Sequence, residues 1–357
     1  MKRRRSILDS PRRTARFDPA GMGDRIEGFS EQLRAGASIA GPVLTRLEPL
    51  CPRRVVLFGM GGSAIAGDMV RTLADRESAS PLHVVRHYEP PSWLTPEDFL
   101  IFSSYSGETE ETLAAYRAAR RLGARSCVVS TGGALVRLAR ADDVPIALLP
   151  PGHPPRAALG YSFSTLIQLV SHVGVIPDGP ARLEAAAQGV EEVSSVCDRT
   201  VLESRNPAKR LAIRLVGRAV IIHANERTLG PLCWRWKGQI NENAKHLAWA
   251  APLPEMTHNE VDGYVHPVTQ VGRMAAVLLR DPSDHPRVRA RLGWVESYFR
   301  RKGVRVETVE ARGRDAMTRL MTCAAMGDFV SYYLALAHGT DPSLLPGVQS
   351  LKKALAR

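Results

Sequence analysis

The feature that most restricts what this chain can fold into is an alternation that runs through its first 150 residues. Short apolar runs at Arg53–Phe58, Leu82–Arg86, Phe99–Ser103, Arg125–Ser130 and Asp143–Leu149 read as strands. Several of them open into small polar turns: Gly59-Met60-Gly61-Gly62-Ser63 after the first, Ser104-Tyr105-Ser106-Gly107-Glu108-Thr109 after the third and Thr131-Gly132-Gly133 after the fourth. Helical runs follow at Ala64–Leu73 and Glu110–Arg121. Strand, turn and helix in that order are βα units, so the fold class is α/β with a mainly parallel sheet.

A weaker copy of the pattern occupies the second half. Its helices are expected at Ala208–Leu215, Trp234–Leu247, Asp284–Arg301 and Arg314–Ala337, and its strands at Ala219–Ile222, Ala275–Leu279 and Val304–Val309. The helices Ala158–Val175 and Leu183–Leu202 come between the two halves. At 357 residues the chain suits two domains. The expected organisation is a basic tail over 1–24, a first sandwich domain over 25–180, a linking helix over 181–200, a second sandwich domain over 201–345 and a tail over 346–357.

Composition narrows the function classes. The formal charge of +12 invites a nucleic-acid reading, yet seven basic and two acidic residues in positions 1–20 supply +5 of it, and 41 of the 48 basic residues are arginine. No aromatic-interleaved basic stripe or recognition-helix pattern accompanies the charge, so no nucleic-acid partner is expected. No stretch approaches the roughly 18 uninterrupted apolar residues of a membrane span. The basic start lacks an apolar segment after it, so no signal peptide and no membrane partner are expected. The cysteines Cys51, Cys127, Cys197, Cys233 and Cys323 are scattered without metal-knuckle or CxxC spacing. They read as cytoplasmic thiols, with no metal and no cofactor expected.

In a parallel sheet, ligands gather beyond the carboxyl ends of the strands. Gly61, Gly62 and Ser63 fall there, as do Ser104, Ser106 and Thr109. Glycine permits tight turns with uncovered backbone N–H groups, the following helix N-terminus favours an anion, and the hydroxyls add short donors. The plain alternative is a pair of Ser/Gly turns with helix caps. Glu108 reads as a first-turn or capping carboxylate facing away from the anion. Neither Walker A nor a full dinucleotide fingerprint is present, since no Gly-Lys-Ser/Thr follows and Ala64 stands at the last glycine position.

The second half carries Asn241-Glu242-Asn243-Ala244-Lys245 and His258-Asn259-Glu260. Glu242 reads either as a carboxylate tuned for carbon-acid chemistry or as a helix residue paired with Lys245. His258 reads as a proton shuttle between oxygens or as a surface histidine, with Glu260 orienting it or making a surface ion pair. Arg156 follows Pro154-Pro155 and either opposes charge on an enediolate oxygen or is a solvated helix-start arginine.

Together these segments, with Ser130-Thr131-Gly132-Gly133, Pro155-Arg156-Ala157-Ala158-Leu159 and His338-Gly339-Thr340-Asp341-Pro342, resemble the bifunctional phosphoglucose/phosphomannose isomerase family of the sugar isomerase (SIS) superfamily. The resemblance implies two SIS-like three-layer αβα sandwich domains. It also implies a homodimer with active sites at the subunit interface, where the histidine can come from the neighbouring subunit. The implied substrate is a phosphorylated hexose. Ser63, Ser104, Ser106 and Thr109 would hold its phosphate, Glu242 would be the proton-transfer base, His258 would assist ring opening and Arg156 would stabilise the intermediate. One departure is Glu108, where asparagine is common in the family, and another is the basic N-terminal segment. The alternatives are an isomerase of narrower specificity and a non-enzymatic sugar-phosphate regulator.

Overall fold

In the computed structural model the described residues are 6–48 and 51–355. Residues 1–5 and 356–357 of the two expected tails, and positions 49 and 50 of the first expected domain, lie outside them. The chain divides into two compact units. One comprises Gly28–Glu191 with Gly313–Met321, and the other comprises the described residues up to Glu27, Glu192–Arg312 and those from Thr322 on.

The first unit is built on five parallel strands: β1 (Val55–Gly59), β2 (Leu82–Val85), β3 (Phe99–Ser103), β4 (Ser126–Ser130) and β5 (Ile146–Leu148), in the order β2-β1-β3-β4-β5. The central strands β1, β3 and β4 are buried along their whole length, whereas the edge strand β5 is partly exposed. Strands buried on both faces read as continuous apolar runs, which is why these were legible. On one face Val56, Phe58, Leu100, Phe102 and Val128 pack against Leu113, Tyr116 and Leu135 of the helices Glu110–Ala119 and Gly133–Ala141. The Phe58 and Phe102 rings stack at 5.0 Å. On the other face the helix Gly61–Glu77 lies so close that a Cβ on Gly67 would stand 3.1 Å from the Leu57 side chain.

The second unit repeats the plan with four parallel strands: β6 (Ala219–His223), β7 (Ala248–Ala250), β8 (Met274–Arg280) and β9 (Arg305–Glu310), in the order β7-β6-β8-β9. Residues 6–24, expected as a tail, form the helical turns Ile7–Asp9 and Pro11–Phe17 and run into Met22–Glu27. Polar contacts hold them in the second unit. Asp9 pairs with the buried ammonium of Lys209 at 3.1 Å, and Asp18 accepts the Met22 and Gly23 N–H groups and the Tyr332 hydroxyl. The expected C-terminal tail contains the helix Pro346–Leu355, none of whose residues is buried. The helix Ala316–His338 is long and apolar enough to cross a membrane, but 89% of its most apolar window is buried inside the protein.

Backbone approach also sets the packing of the helices Phe29–Ile39 and Leu159–His172 in the first unit. A Cβ on Gly160 would stand 2.6 Å from Gln32 Cβ, and one on Gly36 would stand 2.9 Å from the Tyr161 carbonyl oxygen. Gly160→Ala therefore forces the two helices apart and is expected to cost about 1–3 kcal/mol, the range for overpacked cores. Urea denaturation checks this, and a parental midpoint would mean that the crossing has slack.

Candidate active site

Three turns meet at the carboxyl edge of the first sheet. Gly59, the last residue of β1, lies beside Ser103 of β3, and a Cβ there would stand 2.8 Å from the Ser103 carbonyl oxygen. The helix Gly61–Glu77 then begins at once, with Gly61 at φ +50° and Gly62 so close to Pro155 that a Cβ would meet its carbonyl oxygen at 2.9 Å. Glycine is required at these points because backbone lies against backbone. Ser63 follows, buried, in the first turn of that helix, its N–H donating to the Met60 carbonyl at 3.1 Å, and the positive end of a helix favours an anion.

The second turn is tied internally. Ser104 Oγ and Thr109 Oγ1 are 2.8 Å apart, the Gly107 N–H reaches both the carbonyl and the hydroxyl of Ser104 at 3.1 Å, and the Glu108 N–H donates to Ser106 Oγ at 3.2 Å. Ser104 is buried, while Ser106 is exposed. The turn also locks to the one after β4. The Thr131 N–H and hydroxyl both donate to the Tyr105 carbonyl, and the Leu135 N–H donates to that of Gly107. A Cβ on Gly107, at φ +69°, would fall 1.8 Å from the Gly132 carbonyl oxygen.

Glu108 resolves the question its charge raised. Its carboxylate accepts the Ala134 N–H at 2.7 Å and lies 3.7 Å from Arg137, so it caps the helix Gly133–Ala141 and not the helix that follows it in sequence. The negative charge is thus engaged at a helix N-terminus. Arg156 sits in the helical turn Pro155–Ala157, whose Ala157 carbonyl accepts Gln32 Nε2 at 2.9 Å. Only 6% of Arg156 is exposed, which excludes the solvated-arginine alternative.

In the second unit Glu242 lies in the last turn of the helix Gly230–Ala244 and is half-buried. The amides on either side of it are anchored elsewhere: Asn241 Nδ2 donates to the His246 carbonyl at 2.7 Å, and the fully buried Asn243 donates to Ser331 Oγ at 2.9 Å. Lys245 ends the helix at φ +50° and its ammonium donates to the Asp341 carbonyl at 2.5 Å. Of the two neighbouring tryptophans, Trp236 is core and Trp234 is about half exposed.

His258 closes the short helical turn Glu255–His258 beyond β7 and is exposed. Glu260 does not orient it, because its carboxylate accepts the Tyr264 hydroxyl at 2.9 Å. Glu242 and His258 belong to opposite ends of this sheet. The Val220 N–H of β6 donates to the Leu247 carbonyl near the end of the Glu242 helix, and the N–H of Leu253, in the loop that carries His258, donates to the carbonyl of Ala224. Those two levels are four residues apart along one strand line, roughly 13 Å at the rise of a β-strand.

The carboxyl edge of the second sheet is already occupied. Asn225 Nδ2 and the Thr228 hydroxyl both donate to Asp284 Oδ1, at 2.8 and 2.6 Å, in a cluster of buried side chains. The chain's own carboxylate stands here where the first sheet carries serine and threonine hydroxyls. Sequence reading missed this residue, although Asn225 and Thr228 just ahead of a helix are a turn signal. It also missed His223, the last residue of β6, whose Nδ1–H donates to the Ala251 carbonyl at 2.8 Å. Burial pushes the His223 imidazole down to about 4, opposed by that bond.

Two family descriptions match the chain: the SIS domain over residues 50–172 and the bacterial phospho-glucose isomerase C-terminal SIS domain over residues 204–355. A bifunctional phosphoglucose/phosphomannose isomerase of Caldicellulosiruptor bescii is 32% identical over 335 residues, covering 94% of this chain and 99% of that protein. Its namesake in Aquifex aeolicus is also 32% identical, covering 86% of this chain and 92% of its own length. Among solved structures, a hypothetical protein of Thermus thermophilus superposes with a TM-score of 0.76 at 17% identity, over 97% of this chain and 92% of its own, which speaks to the fold alone.

The neutral, buried His223 sets a pH dependence. Its folded-state value lies below the ordinary 6.5, so the unfolded chain binds the proton more readily, and the stability it contributes is full above about pH 6.5 and lost as the pH falls through about 4. The shift amounts to about 3 kcal/mol. His338, lowered by burial and by the neighbouring His246 ring, acts in the same direction. Urea denaturation between pH 7 and 4 is expected to show a shallower acid loss for His223→Gln, which keeps an N–H donor but does not titrate. An unchanged slope would remove His223 from the account.

Proposed function

The chain belongs to the bifunctional phosphoglucose/phosphomannose isomerase family, and from that premise we propose that it interconverts glucose 6-phosphate or mannose 6-phosphate with fructose 6-phosphate through an enediol(ate). The observation that carries this reading is the interlocked set of turns at the edge of the first sheet. Short hydroxyls lie at the starts of helices there, a setting that favours an anion, and the Glu108 carboxylate within the turn is engaged by another helix. That is the donor set a phosphate dianion needs.

In this reading Ser63, Ser104, Ser106 and Thr109, with the Gly61 and Gly62 backbone, hold the unreacting phosphate. Binding energy spent there positions the carbons at the other end of the sugar. His258 assists opening of the ring. Glu242 removes the proton from C2 of the aldose and returns it to C1, while the buried Arg156 guanidinium opposes the negative charge that develops on the enediolate oxygen. Glucose and mannose 6-phosphates differ only in configuration at C2 and share this intermediate, so one base serves both. The unpaired state of all five cysteines suits the reducing cytoplasm.

The separation of Glu242 from His258 bears on assembly. The ring oxygen and C2 are both bonded to C1, so the groups that act on them must converge on one end of the sugar. On a single chain they belong to opposite ends of the second sheet, which favours a homodimer in which each site takes its histidine from the partner subunit.

The purified chain is expected to turn over both aldose 6-phosphates. Glu242→Gln should lose at least about 10²-fold in kcat on each, the scale of a general base, with sugar-phosphate binding retained. Near-parental turnover by the variant would exclude Glu242, and turnover of glucose 6-phosphate alone would sink the bifunctional assignment. The shared site is tested by mixing the inactive Glu242→Gln and His258→Ala chains. With the histidine supplied in trans, random pairing restores one intact site in each mixed dimer, about a quarter of wild-type activity. No recovery by mixed dimers would place both groups on one chain.

A further inference from the structure

We propose that Asp328 is a positioning residue for proton transfer, fixing the rotation of the helix Gly230–Ala244 and with it the direction of Glu242; this rests on the isomerase reading above. Three polar side chains, Arg235, Gln239 and Asn243, recur every four residues along this helix and form one stripe. All three are buried, and all three meet the helix Ala316–His338. Arg235 lies 2.5 Å from Asp328 Oδ2, and Gln239 Nε2 donates to Asp328 Oδ1 at 2.7 Å. Asn243 donates to Ser331 Oγ, which in turn donates to the Asp328 carbonyl at 2.8 Å. Between these bonds Trp236 Nε1 donates to the Cys323 carbonyl at 3.0 Å, and a Cβ on Gly327 would stand 2.4 Å from that nitrogen.

Stability alone does not call for such a seam. Burying an ion pair costs desolvation that its attraction only partly offsets, and apolar residues of the same volume serve as well or better. What a seam of oriented hydrogen bonds adds is a single allowed register, where an apolar seam tolerates rotation. The seam ends at Asn243, next to the base. On the other side Asn241 is fastened to the His246 carbonyl, so Glu242 projects from a backbone held on both flanks. A helix rotation of about 20° would sweep a carboxylate about 6 Å from the axis through about 2 Å. A misplacement of about 1 Å already costs on the order of 10²-fold in rate.

The test replaces both charges together, so that neither is left buried alone. Arg235→Met/Asp328→Leu is expected to fold with a parental or higher melting temperature and to keep KM for fructose 6-phosphate within about twofold, while kcat falls at least about tenfold. Ser331→Ala, which removes only the hydroxyl that holds Asn243, is the milder variant should the first fail to fold, and should lower kcat severalfold at unchanged KM. A folded variant of either kind with parental kcat, or with kcat and KM altered together, would reduce the seam to packing. A wild-type chain inactive on both aldoses would overturn the isomerase reading and the positioning role with it, whereas an active wild type with unaltered variants overturns the positioning role alone.

Discussion

The constraint on which the first unit depends is contact between backbone and backbone at the carboxyl edge of its sheet. Gly59 against Ser103, Gly62 against Pro155 and Gly107 against Gly132 leave no room for a Cβ. Three loops that would otherwise move independently are thereby pressed into one surface that carries Ser63, Ser104 and Thr109. In the proposed reading a phosphate meets dipoles whose orientation is set before it arrives, so little ordering entropy is spent on binding.

The second unit repeats the architecture and uses it differently. Asp284 fills the carboxyl edge of its sheet with a carboxylate that Asn225 and Thr228 hold by the same kind of short polar donor. The corresponding edge of the first sheet carries the Ser104 and Thr109 hydroxyls instead. The residues assigned to this unit are split, with Glu242 near the C-terminal end of a helix and away from that edge, and His258 on a loop beyond the carboxyl end of a three-residue strand. The rule that ligands collect at the carboxyl ends of strands therefore points to the first sheet's turns and to His258, and does not reach Glu242.

Much of this was legible in the sequence wherever the signal was local. Phe99–Ser103 was readable to the residue, since a central strand buried on both faces is an unbroken apolar run. Ala248–Ala250 was not read, because three residues with an exposed tryptophan at the centre carry no periodicity. The helix Gly133–Ala141 was passed over behind its Gly-Gly start, and its capping carboxylate comes from 26 residues upstream. The part of the site built from distant pairs was invisible for the same reason. Arg235 and Asp328 are 93 residues apart, and the two amides beside Glu242 looked like its own environment when their bonds in fact lead to other backbone and side-chain atoms.

One signal of the distant pairing was nevertheless present. Asp328 is the only acidic residue in the helix Ala316–His338, where it stands among alanine, methionine, leucine, tyrosine and phenylalanine. A carboxylate in such surroundings either reaches water or has a buried cationic partner, since leaving it bare would cost several kcal/mol. Burial does push the Asp328 carboxyl upward, against the pull of Arg235 and Gln239. A chain that needed only a firm helix contact could have placed leucine at this position. Retaining a buried carboxylate in this largely apolar helix, facing the base-bearing helix, is economical only where a change of register would be more damaging than the desolvation it costs.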